Sequence, residues 1–227
     1  MNVAMRGLFV TGTDTGVGKT EVACALLENA RAAGLDAVGM KPAQSGVSPG
    51  EASDAERLRE ACGAVEPLSA ICPHSFAAPL APAVAARLEG RPLALDAILG
   101  AARVLAARHE AILVEGAGGL LVPLTERHTY ADLAAALGLP VVVVARAGLG
   151  TVNHTALTLE ALDRRGLAVA AVVLNRTVPE DDPSVPHNAA EIERLTGRQP
   201  IAVLPHVSDI GARRFALRSG LAGKIQF

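Results

Sequence analysis

A glycine-rich loop between a short apolar run and a helical run constrains the fold of this chain more than any other feature. The segment is LFVTGTDTGVGKTEVACALL (Leu8–Leu27), and its loop ends in Gly18-Lys19-Thr20. In such a strand–loop–helix turn the backbone N–H groups point inward, and the helix N-terminus adds partial positive charge. The segment therefore predicts a nucleoside triphosphate site in which Lys19 reaches the β- and γ-phosphates and the Thr20 hydroxyl binds Mg²⁺.

Apolar runs alternate with helical patterns along the whole chain. The apolar runs are continuous, which is typical of strands buried on both faces of a parallel sheet. We predict one domain over residues 1–227 with an α/β, three-layer P-loop NTPase-like fold, a mostly parallel sheet with helices on both faces. The expected strands are Leu8–Thr11, Ala37–Met40, Ala111–Glu115, Pro140–Arg146, Ala168–Asn175 and Ile201–Pro205. The expected helices are Lys19–Ala33, Asp54–Cys62, Leu95–Arg108, Thr129–Leu137, Val152–Arg165, Asn188–Thr196 and Ser208–Ser219, with a loop at Pro67–Pro82.

Ligands of such sheets bind beyond the carboxyl ends of the strands, and this edge selects further candidates. Lys41 follows the second strand, and it is one of only three lysines in a chain that otherwise uses arginine. Glu115 ends an apolar strand, where a carboxylate is costly unless it faces a crevice. Asn175 also ends a strand and either binds an adenine edge or simply forms a turn. Asp54 opens a helix, so it is either a magnesium ligand or an acid that complements the helix dipole.

Charge, hydropathy and cysteine content exclude several classes of protein. The formal net charge of −2 and the pI near 6.3 argue against a nucleic-acid partner. The chain contains no run of 18 apolar residues, so no membrane span is predicted. The N-terminal sequence MNVAMRG lacks the apolar core of a signal peptide. The three cysteines are few and unpatterned, which favours reduced thiols and a cytoplasmic location.

Five motifs together resemble the dethiobiotin synthetase family. They are GTDTGVGKT in the loop, KPAQSG at Lys41–Gly46, FAAPLAP at Phe76–Pro82, VEGAGGLLVPL at Val114–Leu124 and GTVNHTALTLE at Gly150–Glu160. They occur in the family's order and spacing over nearly the whole chain. The resemblance implies ATP- and Mg²⁺-dependent closure of a ureido ring from 7,8-diaminononanoate and CO₂, in a homodimer whose active sites lie at the interface.

The resemblance also implies roles for individual residues. The catalytic set is Lys41, Lys19 and Thr15, and Thr20, Asp54 and Glu115 are the metal ligands. The nucleotide set is Gly16, Val17, Gly18, Lys19, Thr20, Glu21, Asp54, Glu115, Gly116, Ala117, Gly118, Asn175, Arg176 and Pro205. Ser45, Gly150, Thr151, Val152 and Asn153 would bind the diamine substrate, although Ser45 is nearly as well explained as a turn former. One departure is Gly16, where many relatives carry Glu.

Two other interpretations of the loop compete with this one. Partition and septum-site ATPases carry a lysine at the position of Asp14 when the loops are aligned on Gly18-Lys19-Thr20, so the acid counts against that class. The chain also lacks the basic amphipathic tail of a membrane-bound ATPase. Cobyrinate-type amide synthases have a similar loop, but their appended glutaminase domain does not fit within 227 residues.

Overall fold

A six-stranded parallel sheet forms the centre of the protein in the computed structural model, which describes residues 5–47, 50, 52–179 and 181–227. The strands are β1 (Gly7–Gly12), β2 (Ala37–Met40), β3 (Ala43–Gln44), β4 (His74–Ser75), β5 (Ala111–Gly119), β6 (Val141–Arg146), β7 (Val169–Asn175) and β8 (Ala202–Leu204). The helices are α1 (Lys19–Ala32), α2 (Asp54–Ala61), α3 (Leu68–Ile71), α4 (Pro82–Leu88), α5 (Leu95–Ala106), α6 (Tyr130–Leu137), α7 (Thr151–Asp163), α8 (Val185–Thr196) and α9 (Ile210–Leu221). The strand order is β2-β5-β1-β6-β7-β8, and each neighbouring pair is parallel.

Helices cover both faces of this sheet, as the continuous apolar runs predict. Every residue of β1 and β2 is buried, which requires packing on both sides of each strand. Helix α1 packs against α2 and α9, while α5 packs against α6 and α7 against α8. Aromatic residues are scarce, so Val, Leu and Ala fill most of the core around a few large side chains such as Phe9 and Tyr130. None of the described helices is both long and apolar enough to cross a lipid bilayer.

The predicted loop at Pro67–Pro82 is wrong in part, because it contains α3 and β4 and its last residue begins α4. Strand β4 pairs with β3 in a separate two-stranded sheet that the sequence did not predict. Elements of two to four residues are too short to produce a hydrophobic period. Helix α4 was also missed, although Pro82 occupies its first turn, where proline is favoured.

The strand order brings the predicted site residues to one edge of the sheet. Strand β5 lies between β2 and β1, and Met40 pairs with Val114 while Val10 pairs with Glu115. Lys41 is therefore next to Glu115, and both lie beside the loop that follows β1. On the other side of β1, Arg146 of β6 pairs with Asn175 of β7.

Candidate active site

A cavity of about 1120 Å³ opens over this edge of the sheet. The phosphate loop, the residues after β2 and β5, the start of α2 and the segment after β8 all contribute to its wall. Of the predicted site residues, those that line it are Thr15, Gly16, Gly18, Lys19, Thr20, Glu21, Lys41, Ser45, Asp54, Ala117 and Gly118. The structure thus brings most of the catalytic, nucleotide and metal candidates into one space.

Backbone geometry explains why the phosphate loop needs glycine at its end. Gly18 precedes α1 with φ +88°, in the left-handed region that glycine adopts without strain. A Cβ atom on Gly18 would lie 2.1 Å from Asn175 Nδ2 and 3.1 Å from Glu21 Oε2. Gly16 has φ +72° but open space around it, so a Glu at this position would be strained by the backbone conformation alone.

Lys19 is held inside the loop as a buried cation. Its Nζ donates to the Asp14 carbonyl oxygen over 2.8 Å, and the residue is only 7% exposed. Burial lowers the pKa of Lys19 to about 8, and the nearby Lys41 ammonium adds to this shift. An anion beside Lys19 would reverse that effect, as expected for a group that binds a triphosphate.

Asp14, which occupies the position where a partition ATPase would carry a lysine, stabilises the phosphate loop. One carboxylate oxygen accepts the backbone N–H of Thr15 at 2.7 Å, and the other pairs with Arg146 Nη2 at 2.7 Å. The acid therefore joins the loop to the end of β6. A lysine at this position, as in the partition ATPases, would face Arg146 as a like charge.

Lys41 lies between two carboxylates. Its Nζ is 2.5 Å from Glu115 Oε1 and 2.8 Å from Asp54 Oδ2, and it also donates to the Gly116 carbonyl oxygen over 3.3 Å. Burial alone would lower the pKa of Lys41, but the Glu115 and Asp54 carboxylates outweigh it and hold this pKa above its usual range. Burial likewise opposes ionisation of Asp54, yet the contact with Lys41 keeps the Asp54 pKa below its usual range. Lys41 is therefore a permanent cation at the cavity wall.

The oxygen donors around Lys41 fit a magnesium ion. Thr20 Oγ1 donates to Glu115 Oε1 over 2.9 Å, so the predicted ligands Thr20 and Glu115 touch each other, and Asp54 is joined to them through Lys41. Glu115 Oε2 is buried and has no hydrogen-bond partner among the described residues. Mg²⁺ prefers one or two carboxylates plus phosphate oxygens. In the described part of the chain, no group of three or more His, Cys, Asp or Glu side chains could hold a metal on its own.

The residues predicted to bind the adenine end lie behind the loop. Asn175 is fully buried, its Nδ2 donates to the Val17 carbonyl oxygen over 3.0 Å, and its Oδ1 lacks a partner within the described residues. Arg176 N donates to the Leu204 carbonyl oxygen, which ties β7 to β8 just before Pro205. His206, Val207 and Ser208, which follow Pro205, line the cavity and were not predicted.

Ser45 lines the opposite part of the cavity. Its hydroxyl donates to the Leu80 carbonyl oxygen over 2.6 Å, so the Ser45 oxygen is left as an acceptor for an amine. The segment Pro79–Pro82 forms the facing wall. This segment belongs to the FAAPLAP motif. Its residue types did not predict that it lines the cavity, because apolar residues that shape a pocket look like ordinary loop residues in a sequence.

The turn at Gly150–Asn153 is apart from this cavity. Gly150 precedes α7 with φ +91°, Thr151 is buried and Asn153 is exposed. None of the four residues is among those that line the cavity in the described part of the chain. A single chain therefore does not bring this turn to the other site residues.

Comparisons with known proteins agree with the geometry. A protein family described as "AAA domain" matches residues 6–214. The chain is 76% identical over 223 residues to the ATP-dependent dethiobiotin synthetase BioD of Anaeromyxobacter dehalogenans (strain 2CP-C), covering 98% of this chain and 100% of that protein. It is 39% identical over 206 residues to the enzyme of the same name from Bacillus licheniformis, covering 90% of this chain and 88% of that protein.

A solved structure shares the fold at low sequence identity. The ParA family ATPase from Chlorobium tepidum TLS superposes with a TM-score of 0.57 and 13% identity, covering 96% of this chain and 91% of that one. At this identity the likeness concerns the fold alone. It confirms the prediction of a three-layer P-loop architecture.

Proposed function

Because this chain belongs to the family of ATP-dependent dethiobiotin synthetases, we propose that it closes the ureido ring of dethiobiotin from 7,8-diaminononanoate and CO₂, with release of ADP and phosphate. The observation that carries the proposal is the convergence of Lys19, Lys41 and two carboxylates beside a phosphate loop. Phosphoryl transfer needs positioning and charge neutralisation more than covalent help from the protein. Residues 1–227 would act as one domain.

The proposed reaction has three steps. One amine of the diamine captures CO₂ as a carbamate and loses a proton. A carbamate oxygen attacks the γ-phosphorus of ATP, the bond to the β-phosphate oxygen breaks, and ADP leaves. The second amine attacks the carbonyl carbon of the resulting mixed anhydride and loses a proton, and the carbon–oxygen bond to phosphate breaks as the ring closes and phosphate leaves. In the second and third steps the negative charge is concentrated on the transferred phosphoryl group.

The side chains around the cavity supply the matching positive charge. Lys19 would bind the β- and γ-phosphates, and Lys41 would neutralise the charge that develops as the carbamate oxygen attacks. Thr15 would donate a hydrogen bond to the same oxygens. Ser45 would orient an amine of the diamine through its hydroxyl oxygen, because its own proton is already donated to Leu80.

Thr20, Asp54 and Glu115 would hold Mg²⁺, which supplies neutralisation of the β- and γ-phosphate charge when bound. The alternative role of Asp54, as an acid that starts a helix, is weakened by local geometry. Ser53 and Glu56 already form a complete capping box at the start of α2. A second capping acid is not needed there.

Replacing Asp54 by Asn is expected to raise the Mg²⁺ concentration for half-maximal rate by about tenfold, because one anionic ligand is lost. Folding should change little, since the Asp54 side chain is 42% exposed. The measurement is initial rate against total Mg²⁺ at saturating ATP and diamine. Glu56→Gln is the matched control: it weakens the cap of the same helix and should leave the Mg²⁺ dependence unchanged. An unaltered dependence in Asp54→Asn would return this residue to a structural role.

The far carboxylate of the diamine needs an anion site away from the two amines. We propose that the α7 N-terminus supplies it, because the N–H groups of Val152 and Asn153 have no acceptor within the described residues. Gly150 lets the backbone approach closely and Asn153 adds an exposed polar side chain, while the buried Thr151 hydroxyl contacts Thr155 and would support the turn. Since the turn lies outside the cavity of its own chain, we propose a homodimer in which each turn serves the partner's active site.

The proposed setting of the enzyme is the cytoplasm, without a nucleic-acid or membrane partner. A net charge of −2 supports the lack of a nucleic-acid partner, and three sparse, unpatterned cysteines support the cytoplasm. One assay tests the function itself: ADP release is measured from ATP with the diamine and bicarbonate, and from ATP alone. ADP release that depends on the diamine, with dethiobiotin detected by mass, is the expected result. Turnover of ATP alone at the same rate would indicate a regulatory ATPase and contradict the proposal.

A further inference from the structure

An ion pair between α9 and α1 lies at the edge of the nucleotide cavity. Arg213 Nη2 is 2.5 Å from Glu21 Oε2, and the two side chains are 15% and 22% exposed. Both residues line the cavity. Neither the phosphate-loop motif nor the proposed reaction gives Arg213 a role.

The position of this pair relative to the loop follows from the space around Gly18. The Glu21 oxygen that binds Arg213 lies 3.1 Å from the point where a Cβ of Gly18 would be, and Asn175 Nδ2 lies 2.1 Å from the same point. Lys41 lines the proposed γ-phosphate end of the cavity, and Asn175 lies buried behind the loop on the proposed adenine side. The pair therefore lies on the adenine side of the loop, where phosphate-loop amides hold the α-phosphate.

The negative charge of Glu21 lies close to where the nucleotide phosphates would bind, and Arg213 neutralises it. Glu21 is in the first turn of α1, where the helix dipole favours an anion, but the nucleotide phosphates bind at the same helix end. An unpaired carboxylate there would repel the nucleotide. With Arg213 attached, the pair presents no net charge. Arg213 Nε is buried and has no hydrogen-bond partner among the described residues, so it remains able to donate.

We propose that Arg213 is a nucleotide-binding residue that donates to the α-phosphate, and that Glu21 positions its guanidinium. The inference rests on the proposed function for the identity of the nucleotide. Arginine suits this role because its planar group can hold a carboxylate on one edge and a phosphate oxygen on another.

The test measures the Kd of ADP and of adenosine for wild type, Arg213→Met and Glu21→Gln. Arg213→Met is expected to raise the Kd of ADP by about tenfold, the effect of losing one charge-assisted hydrogen bond. The Kd of adenosine, measured by competition, should not change because adenosine has no phosphate. Glu21→Gln keeps a side-chain oxygen that can accept from Arg213 and so position it, but removes the negative charge beside the phosphate, and this variant should therefore bind ADP more tightly than wild type. In turnover, Arg213→Met should raise the KM for ATP and leave kcat at saturation unchanged.

The next residue of the same helix offers a matched control. Arg214 pairs with Glu28 and so also joins α9 to α1, but it does not line the nucleotide cavity in the described part of the chain. Arg214→Met should lower Tm by no more than Arg213→Met does, because the Arg214 side chain is 58% exposed and that of Arg213 is 15% exposed, and it should leave the Kd of ADP unchanged. If Arg213→Met changes Tm alone, or Glu21→Gln does not tighten ADP binding, the pair only ties two helices together and the inference fails. An equal loss for adenosine and ADP would also overturn the phosphate contact.

Failure of the proposed function would look different. A wild-type protein that binds ADP but makes no dethiobiotin would contradict the proposed reaction, while the Kd ratios would still decide the role of Arg213. An active wild type with an unchanged Kd in Arg213→Met would leave the reaction standing and remove only the inference.

Discussion

Replacing Lys41 by alanine is expected to lower kcat by about a thousandfold, because the cation that meets the developing charge on the phosphoryl group is lost. Nucleotide binding should change much less, since Lys19 and the loop amides still hold the phosphates. Lys19→Ala should show the opposite balance, with a large loss of nucleotide affinity. The measurements are single-turnover rates with diamine and bicarbonate, and the Kd of a non-hydrolysable ATP analogue for each variant.

Burial of the cluster requires a control for folding. Removing Lys41 leaves Glu115, which is fully buried, without its closest cation. Burial raises the pKa of Glu115, so this carboxyl can take up a proton when its partner is gone. Retained analogue binding in Lys41→Ala would demonstrate a folded site. Equal losses of nucleotide affinity in Lys41→Ala and Lys19→Ala would contradict the proposed roles, in which Lys19 binds the nucleotide and Lys41 neutralises charge during phosphoryl transfer.

The residues at the strand ends could be predicted because the chemistry and the fold point to the same positions. Lys41 follows β2, and Glu115 ends the apolar run of β5, although the strand itself continues to Gly119; a buried charge is costly at either position unless a ligand or an ion pair offsets it. Register then determines their contact: β5 lies between β1 and β2, so the last residue of β2, Met40, pairs with Val114, the residue before Glu115. A sequence pattern identifies the strands but not their order. The ion pair between these residues therefore needed the structure.

Other parts of the site carry no pattern of their own. Arg213 is one of the many arginines in the chain, and nothing in the sequence says that it reaches Glu21 across 192 positions. Pro79 and Leu80 line the cavity through the irregular segment between β4 and α4, where no period exists to be detected. Contacts between distant segments depend on how helices pack on the sheet. Packing of this kind is decided by the whole core and not by local spacing.

The shared architecture with a ParA family ATPase shows why function had to be argued from the site. At 13% identity the likeness covers the fold alone and does not assign a function. Single positions such as Asp14 carry more of the argument, since its carboxylate pairs with Arg146 and accepts the backbone N–H of Thr15. A carboxylate in that place holds the loop of its own chain together. It cannot supply the positive charge that the lysine expected of a partition ATPase would bring to this position.

Mixing two inactive variants is expected to restore activity if the active sites are shared between subunits. One variant is Lys41→Ala. The other is Asn153→Glu, which places a negative charge at the proposed site for the substrate carboxylate. Asn153 is preferred to Gly150 because Gly150 has φ +91°, so a side chain there would strain the turn. Asn153 is exposed and in the first turn of α7, where an acid is tolerated by the helix.

In a mixed dimer both defects fall in one active site, and the other site combines an intact Lys41 with an intact turn. After random exchange of equal amounts, half of the dimers are mixed and each has one working site, so activity should reach about a quarter of that of wild type. Each variant alone should be nearly inactive, and the mixture before exchange should be as well. Cross-linking a mixed dimer through two different affinity tags would allow the rate per heterodimer to be measured directly. If exchange occurs and activity stays absent, then Lys41 and the α7 turn of one chain must serve the same site, and the shared-site dimer is wrong.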